Sequence, residues 1–365
     1  MASRSSSPVG WLLILALLVL GSCGADLEAR EGRYAGGGDL RWEGHVSTQG
    51  GVERAQGTWR FWYPNGKLQA LGEYQDGAIV RAIDEGPVST HVPEWGRTGR
   101  WSEWSFDGVL VAEGAYRDGE RTGPWRFWYD SGALKSEGSF ERGMETGLHV
   151  SYHAGGERMS ERTYVSGRLE GTAQFFDASG TLRRREEYHE GLPVGLHEFW
   201  DEAGIKREES AFENGVQHGT RRLFDEGGAL EWIGEYLAGV LEGDTTTYYP
   251  NGRTRQSGRY VAGKLEGPVS CWGPDGELLW RFQFVAGEQR GSRTYFFRDG
   301  RKRSEGRYVG GEPVGEHQEW HANGQLRSLG EYSGGKPVGK WRYFTPEGQP
   351  DDDRTGIYVA GELER

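Results

Sequence analysis

Aromatic and aliphatic residues fall along this chain in short runs that alternate with polar positions, and glycine-bearing turns separate the runs. Short alternating runs bounded by turn residues predict β-strands joined as hairpins. The pattern recurs. Glycine stands every 24 residues at Gly99, Gly123, Gly147, Gly171, Gly195, Gly219, Gly243, Gly267, Gly291, Gly315 and Gly339, and Gly57 opens an earlier copy that carries an 18-residue insertion. Such a period predicts a repeat architecture, in which each unit packs mainly on its neighbours.

With the opening glycine as position 0, position 9 is glycine and position 5 aromatic in all twelve copies. Position 5 holds Trp62, Trp104, Trp128, Trp200 and Trp320, and position 17 holds Tyr74, Tyr116, Tyr236 and Tyr332. Position 11 is usually leucine. The turns read Tyr63-Pro64-Asn65-Gly66-Lys67 and Tyr249-Pro250-Asn251-Gly252-Arg253. A two-residue type I′ turn and a three-residue type I turn with a glycine bulge both fit such a sequence. Proline favours the second, because its fixed φ suits the first turn residue and the glycine supplies the left-handed one. That register sets position 5 opposite position 11 and predicts one core face made of positions 5, 11 and 17. Glycine at position 15 in seven copies leaves room for a ring. The second turn, with Asp118-Gly119 and Asn214-Gly215, is looser. The fold expected is all-β, an elongated and twisted open antiparallel sheet of about twelve stacked hairpins. Asp351–Asp353 interrupts the last copy, and Glu31–Gly37 reads as the second half of a decayed repeat.

At this point the chain resembles the MORN-repeat variant family. Gly57–Gly77 and Gly123–Gly143 closely meet the pattern Gly-x-Trp-x-x-Trp-Tyr-x-Asn-Gly-x-Leu-x-x-x-Gly-x-Tyr-x-x-Gly. The resemblance implies stacked antiparallel hairpins without shared catalytic residues, in scaffolds, membrane-associated interaction modules and bacterial antitoxin-like or immunity proteins. It covers residues 57–361 as the repeat domain, after a degenerate half-repeat and insertion at 31–56.

Composition adds destination and limits. Only 35% of residues are hydrophobic, while 13% are aromatic and 61 are glycine, so the repeated aromatics form a thin core. The net charge of −12 and the lack of a basic cluster argue against nucleic acid and against direct binding to anionic lipid. Arg4 and the 12-residue apolar run Val9–Leu20 read as a signal segment over residues 1–22, too short to span a bilayer. Leu20-Gly21-Ser22-Cys23 resembles a lipobox, which implies lipidation of Cys23, a short tether over 23–30 and an extracytoplasmic bacterial envelope location. Cys271 is then the sole remaining thiol, so no internal disulfide forms.

Chemistry is sparse. His149 and His153, like His317 and His321, stand four apart, about 13 Å on a strand, so they are read as solvent-facing side chains and no metal site is expected. No phosphate loop, Cys-x-x-Cys or nucleophile elbow occurs, and neither an enzyme nor a cofactor is expected. The remaining candidates are the position 2 aromatics Trp59, Trp101, Trp125 and Trp341. They face away from the expected core and are either an exposed patch for a protein or a sugar, or rings buried by twist. The function expected is a lipid-anchored, non-enzymatic platform for a protein partner. The alternatives are an immunity lipoprotein that neutralises a basic toxin, and a cell-wall glycan binder.

Overall fold

The structure, a computed structural model, describes residues 27–34, 38–77 and 92–364; the signal segment, Cys23 and most of the insertion lie outside them. The described residues form strands and turns without a helix. They divide into two compact units: residues up to Gly108 with Tyr116–Gly119, and Val109–Ala115 with Glu120 onward. Within each unit, successive strands pair antiparallel with their chain neighbours as an open meander. A hairpin closes its ends over few residues, so such local pairing carries a small entropic cost.

The repeat is built from two turns of opposite character. In the first, Gly66 N–H donates to Tyr63 O at 2.9 Å and Tyr63 N–H to Lys67 O at 2.8 Å, with φ +78° at Gly66. Asn65 has no positive φ, so this is the bulged type I turn that the proline implied. Aspartate replaces the aromatic at position 6 in Asp177, Asp201 and Asp225, and each Oδ1 accepts two backbone N–H groups of its own turn. The second turn is sharper than the sequence suggests. Arg142 and Gly143 both have positive φ, +50° and +75°, and Glu141 pairs with Met144 across them. This is a two-residue type I′ turn, whose twist matches the flanking strands. It recurs with alanine in the left-handed conformation at Ala238, Ala262 and Ala286.

Bulges decide which side chains share a face. Trp62 pairs with Leu68, as expected, but Phe61 pairs with Ala70, so one extra residue at position 12 sits in the second strand. Parity reverses there, and positions 5 and 11 lie on the face opposite positions 4, 13 and 17. A second irregularity falls at the opening glycine: Ser210 pairs with Arg221 and Phe212 with Gln217, while Gly219 between them has φ +94°. The 24-residue glycine therefore marks a left-handed bulge residue.

The core consequently differs from the expected one. Trp59, Trp101, Trp125 and Trp341 are 0, 0, 1 and 3% exposed. They are the core, not an exposed patch. Each indole stands over the glycine at position 15 of the preceding hairpin: a Cβ placed on Gly72 would meet Trp101 Cδ2 at 2.0 Å, and one on Gly330 would meet Trp341 Cδ2 at 2.1 Å. Rings at positions 2 and 17 alternate in single file. In the first unit Trp59, Tyr74 and Trp101 follow at centroid spacings of 5.8 and 5.1 Å, edge to face. Tyr74 and Tyr116 are buried, and Tyr236 and Tyr332 half-buried, at the position 17 rungs. Trp62, Trp104, Trp128, Trp200 and Trp320 are half-buried on the other face.

The chain ends also depart from expectation. Leu27–Arg33 pairs antiparallel with Leu40–Gln49, with Trp42 at the position 13 rung, so Glu31 belongs to a first strand, while residues 35–37 of the expected half-repeat lie outside the described residues. Near the C-terminus Phe344 and Pro350 form a bridge just before Asp351–Asp353, and beyond the aspartates Trp341 pairs with Gly356, which restores the register.

Candidate functional site

Two features of the second unit stand out against the repeat. The first is an interruption of the ring ladder. Position 2 carries Ala173, His197, Arg221, Thr245, Val269 and Arg293 through the middle of the chain. Where position 15 keeps a side chain, as at Glu186, Ser210 or Phe282, the indole that needs that space is missing from the next hairpin. Charge enters the core instead. Glu186 is buried and accepts hydrogen bonds from Arg184 and from Tyr188 Oη at 2.9 Å. Burial and that carboxylate push the Tyr188 hydroxyl up to about 12. Arg221 Nε donates to Glu208 Oε1 at 2.9 Å, and Ser210 Oγ shares the same oxygen. Both pairs keep their arginine partly in solvent, so they contribute little to stability compared with the packed rings of the other hairpins.

Beside this stretch lies a recess of about 350 Å3 lined by Arg221, Leu223, Trp232, Tyr236 and Thr247, with Glu231 and Arg255 at its rim. Trp232 swings over Gly234, where other hairpins receive the position 2 ring. The Thr247 hydroxyl is buried there without a hydrogen-bond partner.

The second feature is an edge. Residues 18 and 21 of each repeat flank the type I′ turn, and many are exposed aliphatics: Met144, Val165, Leu192, Val216, Leu237, Val240, Val261, Val285 and Val309. Those at position 21 lie against the turn glycine of the next repeat. A Cβ on Gly239 would lie 3.3 Å from Val216 Cγ1, and one on Gly263 would lie 3.4 Å from Val240 Cγ1. Exposed Glu141, Glu190, Glu213, Glu288 and Glu312 border the row, and acids outnumber bases along it. Exposed aliphatics recurring along one edge and rimmed by charge are the usual form of an interaction surface. The sequence signal was present, as an aliphatic on either side of Ala-Gly or Asn-Gly, but a strand reading takes such residues for the ends of buried runs.

The histidines are not solvent-facing as a class. His197 and His317 are buried at position 2, and the Nε2 of His149, His197 and His317 contacts the carbonyl of Ser139, Glu187 and Arg307 at 2.8, 3.0 and 2.9 Å. The indole N–H of Trp101, Trp125 and Trp341 donates to the equivalent carbonyl of Glu73, Ala115 and Glu331. Imidazole thus stands in for indole at a shared acceptor, which assigns the Nε2–H tautomer. His153 and His321 likewise take the role of a turn tyrosine, contacting Phe176 O and Phe344 O. Burial pushes the half-buried Cys271 thiol up, which disfavours a reactive thiolate.

The model of the MORN repeat variant family matches residues 55–76, 121–142, 169–190 and 313–333. No curated protein matches the chain. Among solved structures it is similar to "Crystal Structure of TcdB2-TccC3-TEV", at 12% identity and a TM-score of 0.18 over 85% of this chain and 22% of that chain. It is also similar to a Photorhabdus luminescens Tc holotoxin pore, at 10% identity and a TM-score of 0.13 over 89% of this chain and 23% of that chain. The chain spans under a quarter of the length of these structures, and likeness at such scores carries no functional argument.

Proposed function

From a chain that carries repeats of the MORN variant family, we propose a non-enzymatic, lipid-anchored platform at the bacterial cell envelope that binds a protein partner. The observation that carries this reading is the aliphatic row along the type I′ turns, bordered by glutamates. The partner that fits it presents apolar anchors bracketed by Lys or Arg, because unlike charge steers the encounter while apolar contact supplies affinity. The anchor is Cys23, supported by Leu20-Gly21-Ser22-Cys23 after an apolar run. The acidity of the row also supports the immunity reading, in which a single small basic toxin is the partner.

The test places a photo-crosslinking residue at Val216 or Val240 in the full chain, within its own envelope. Crosslinked protein is expected at both sites, falling as salt rises through the range where the Debye length shrinks from about 10 Å to about 3 Å. Val240→Asp in the Val216-labelled chain is expected to remove the product without changing the melting temperature. Crosslinks to one small basic protein favour immunity, and crosslinks to several envelope proteins favour a platform. Equal labelling from any exposed position overturns both. Cys23→Ser is expected to release the chain from the membrane fraction.

A further inference from the structure

We infer that the recess around Trp232 is a binding site for a neutral saccharide, a function separate from partner binding at the turn edge. Three observations converge there. The first is the floor. Trp232 replaces the alanine or serine that position 13 holds at Ala70, Ala112, Ser160 and Ser328, and it is half-buried while the ladder tryptophans are fully buried. Its ring lies over Gly234 and meets Tyr236 edge to face at 6.5 Å, so it is held in place while one surface stays open. A flat, fixed indole lining an open recess is a stacking platform for a ring with an apolar face.

The second is the rim. Glu231 and Arg255 occupy the same position 12 of consecutive repeats, two strands apart, or roughly 10 Å between backbones. Position 12 is the bulge residue, and the bulge turns both side chains toward the recess that they line. Both are exposed, and neither forms an ion pair among the described residues. Unlike charges on opposite rims leave no net charge for a ligand to match. They offer carboxylate acceptors on one side and guanidinium donors on the other.

The third is the orphan. Thr247 Oγ1 is buried in the lining of the recess with no hydrogen-bond partner, a polar group left unsatisfied within the protein. Arg221 is already held by Glu208, so its charge is committed within the protein. A pyranose answers all three features: an apolar C–H face for Trp232, and perimeter hydroxyls that both donate and accept. The volume, about 350 Å3, is at the small end of ligand sites and suits one or two sugar rings.

The experiment is saturation-transfer difference NMR on the full chain with cellobiose, maltose and N,N′-diacetylchitobiose as probes, and L-leucine as a zwitterionic control. At least one disaccharide is expected to show transfer, with a Kd in the millimolar range or below. Trp232→Ala is expected to raise that Kd at least tenfold. Because this substitution removes packing as well, Glu231→Gln serves as the second variant, with an expected rise of at least threefold and an unchanged melting temperature. Trp200→Ala, on the other face of the sheet, is expected to leave binding intact. No transfer from any of the three disaccharides overturns the proposal, as does transfer unaffected by both Trp232→Ala and Glu231→Gln. Binding of L-leucine that Glu231→Gln abolishes, without disaccharide binding, also overturns it and makes the recess an amino-acid site.

Discussion

The indole at position 2 combines three demands at one residue: it fills the core, it needs a glycine beneath it, and its N–H must find a carbonyl. Trp101→Ser is therefore expected to destabilise the first unit by about 3–5 kcal/mol, the usual scale for emptying a buried aromatic site. Chemical denaturation checks this, and a loss below about 1 kcal/mol would remove Trp101 from the core. His317 meets the same demands with a titratable ring. Burial holds its pKa below the ordinary 6.5, so between its folded value and 6.5 the unfolded chain binds more protons than the folded one. Stability from this site is complete above about pH 6.5 and is lost as pH falls. His317→Trp removes the titration and keeps a donor for Arg307 O. Melting curves of this variant are expected to show a shallower acid limb than the parent between pH 6.5 and 5, and identical limbs would place the acid sensitivity elsewhere.

At the scale of the hairpin, the two turns explain what the sequence made legible and what it concealed. The first turn was readable because proline, asparagine and glycine each restrict the backbone locally, and position 5 does face position 11. The face of every side chain was not readable, because parity depends on a bulge at position 12 that no single residue type signals. One extra residue moved position 17, expected beside Trp62 and Leu68, to the face of Trp59, and of the two readings open for Trp59 and its equivalents the buried one holds. The type I′ turn was also obscured, since it tolerates alanine at a left-handed position. Ala262, with φ +49°, bears a strain of about 1–2 kcal/mol that glycine escapes. Ala262→Gly is expected to stabilise the second unit by about 0.5–1 kcal/mol after the entropy of glycine is counted. A destabilisation in denaturant titration would contradict the left-handed assignment. Gly330→Ala should act the other way, because its Cβ would strike Trp341, whereas Gly267→Ala meets open space and bears backbone strain alone.

At the scale of the whole molecule, stability is distributed along the chain, because each hairpin contacts mainly its neighbours. The second unit is not uniform in this respect. Rings follow one another from Trp125 through Phe140 and His149 to Tyr164, and again from Tyr308 through His317 and Tyr332 to Trp341. Between these runs only His197 keeps a position 2 ring, against Tyr188 and Phe212, while Ala173, Arg221, Thr245 and Arg293 hold the other rungs, and Arg293 Nε and Thr247 Oγ1 are buried without partners. Unsatisfied polar atoms and missing ring contacts both lower the free energy of local opening. The recess at Trp232 lies in this weaker stretch, as expected of a binding region whose side chains are not chosen for packing alone. Native-state hydrogen exchange is expected to show lower protection in strands Val216–Phe224, Leu230–Leu237 and Val240–Tyr248 than in strands Glu120–Trp128 and Leu326–Ser333. A saccharide bound at Trp232 should raise protection in those three strands first. Uniform protection along the unit would mean that the backbone ladder, and not the file of rings, sets its stability.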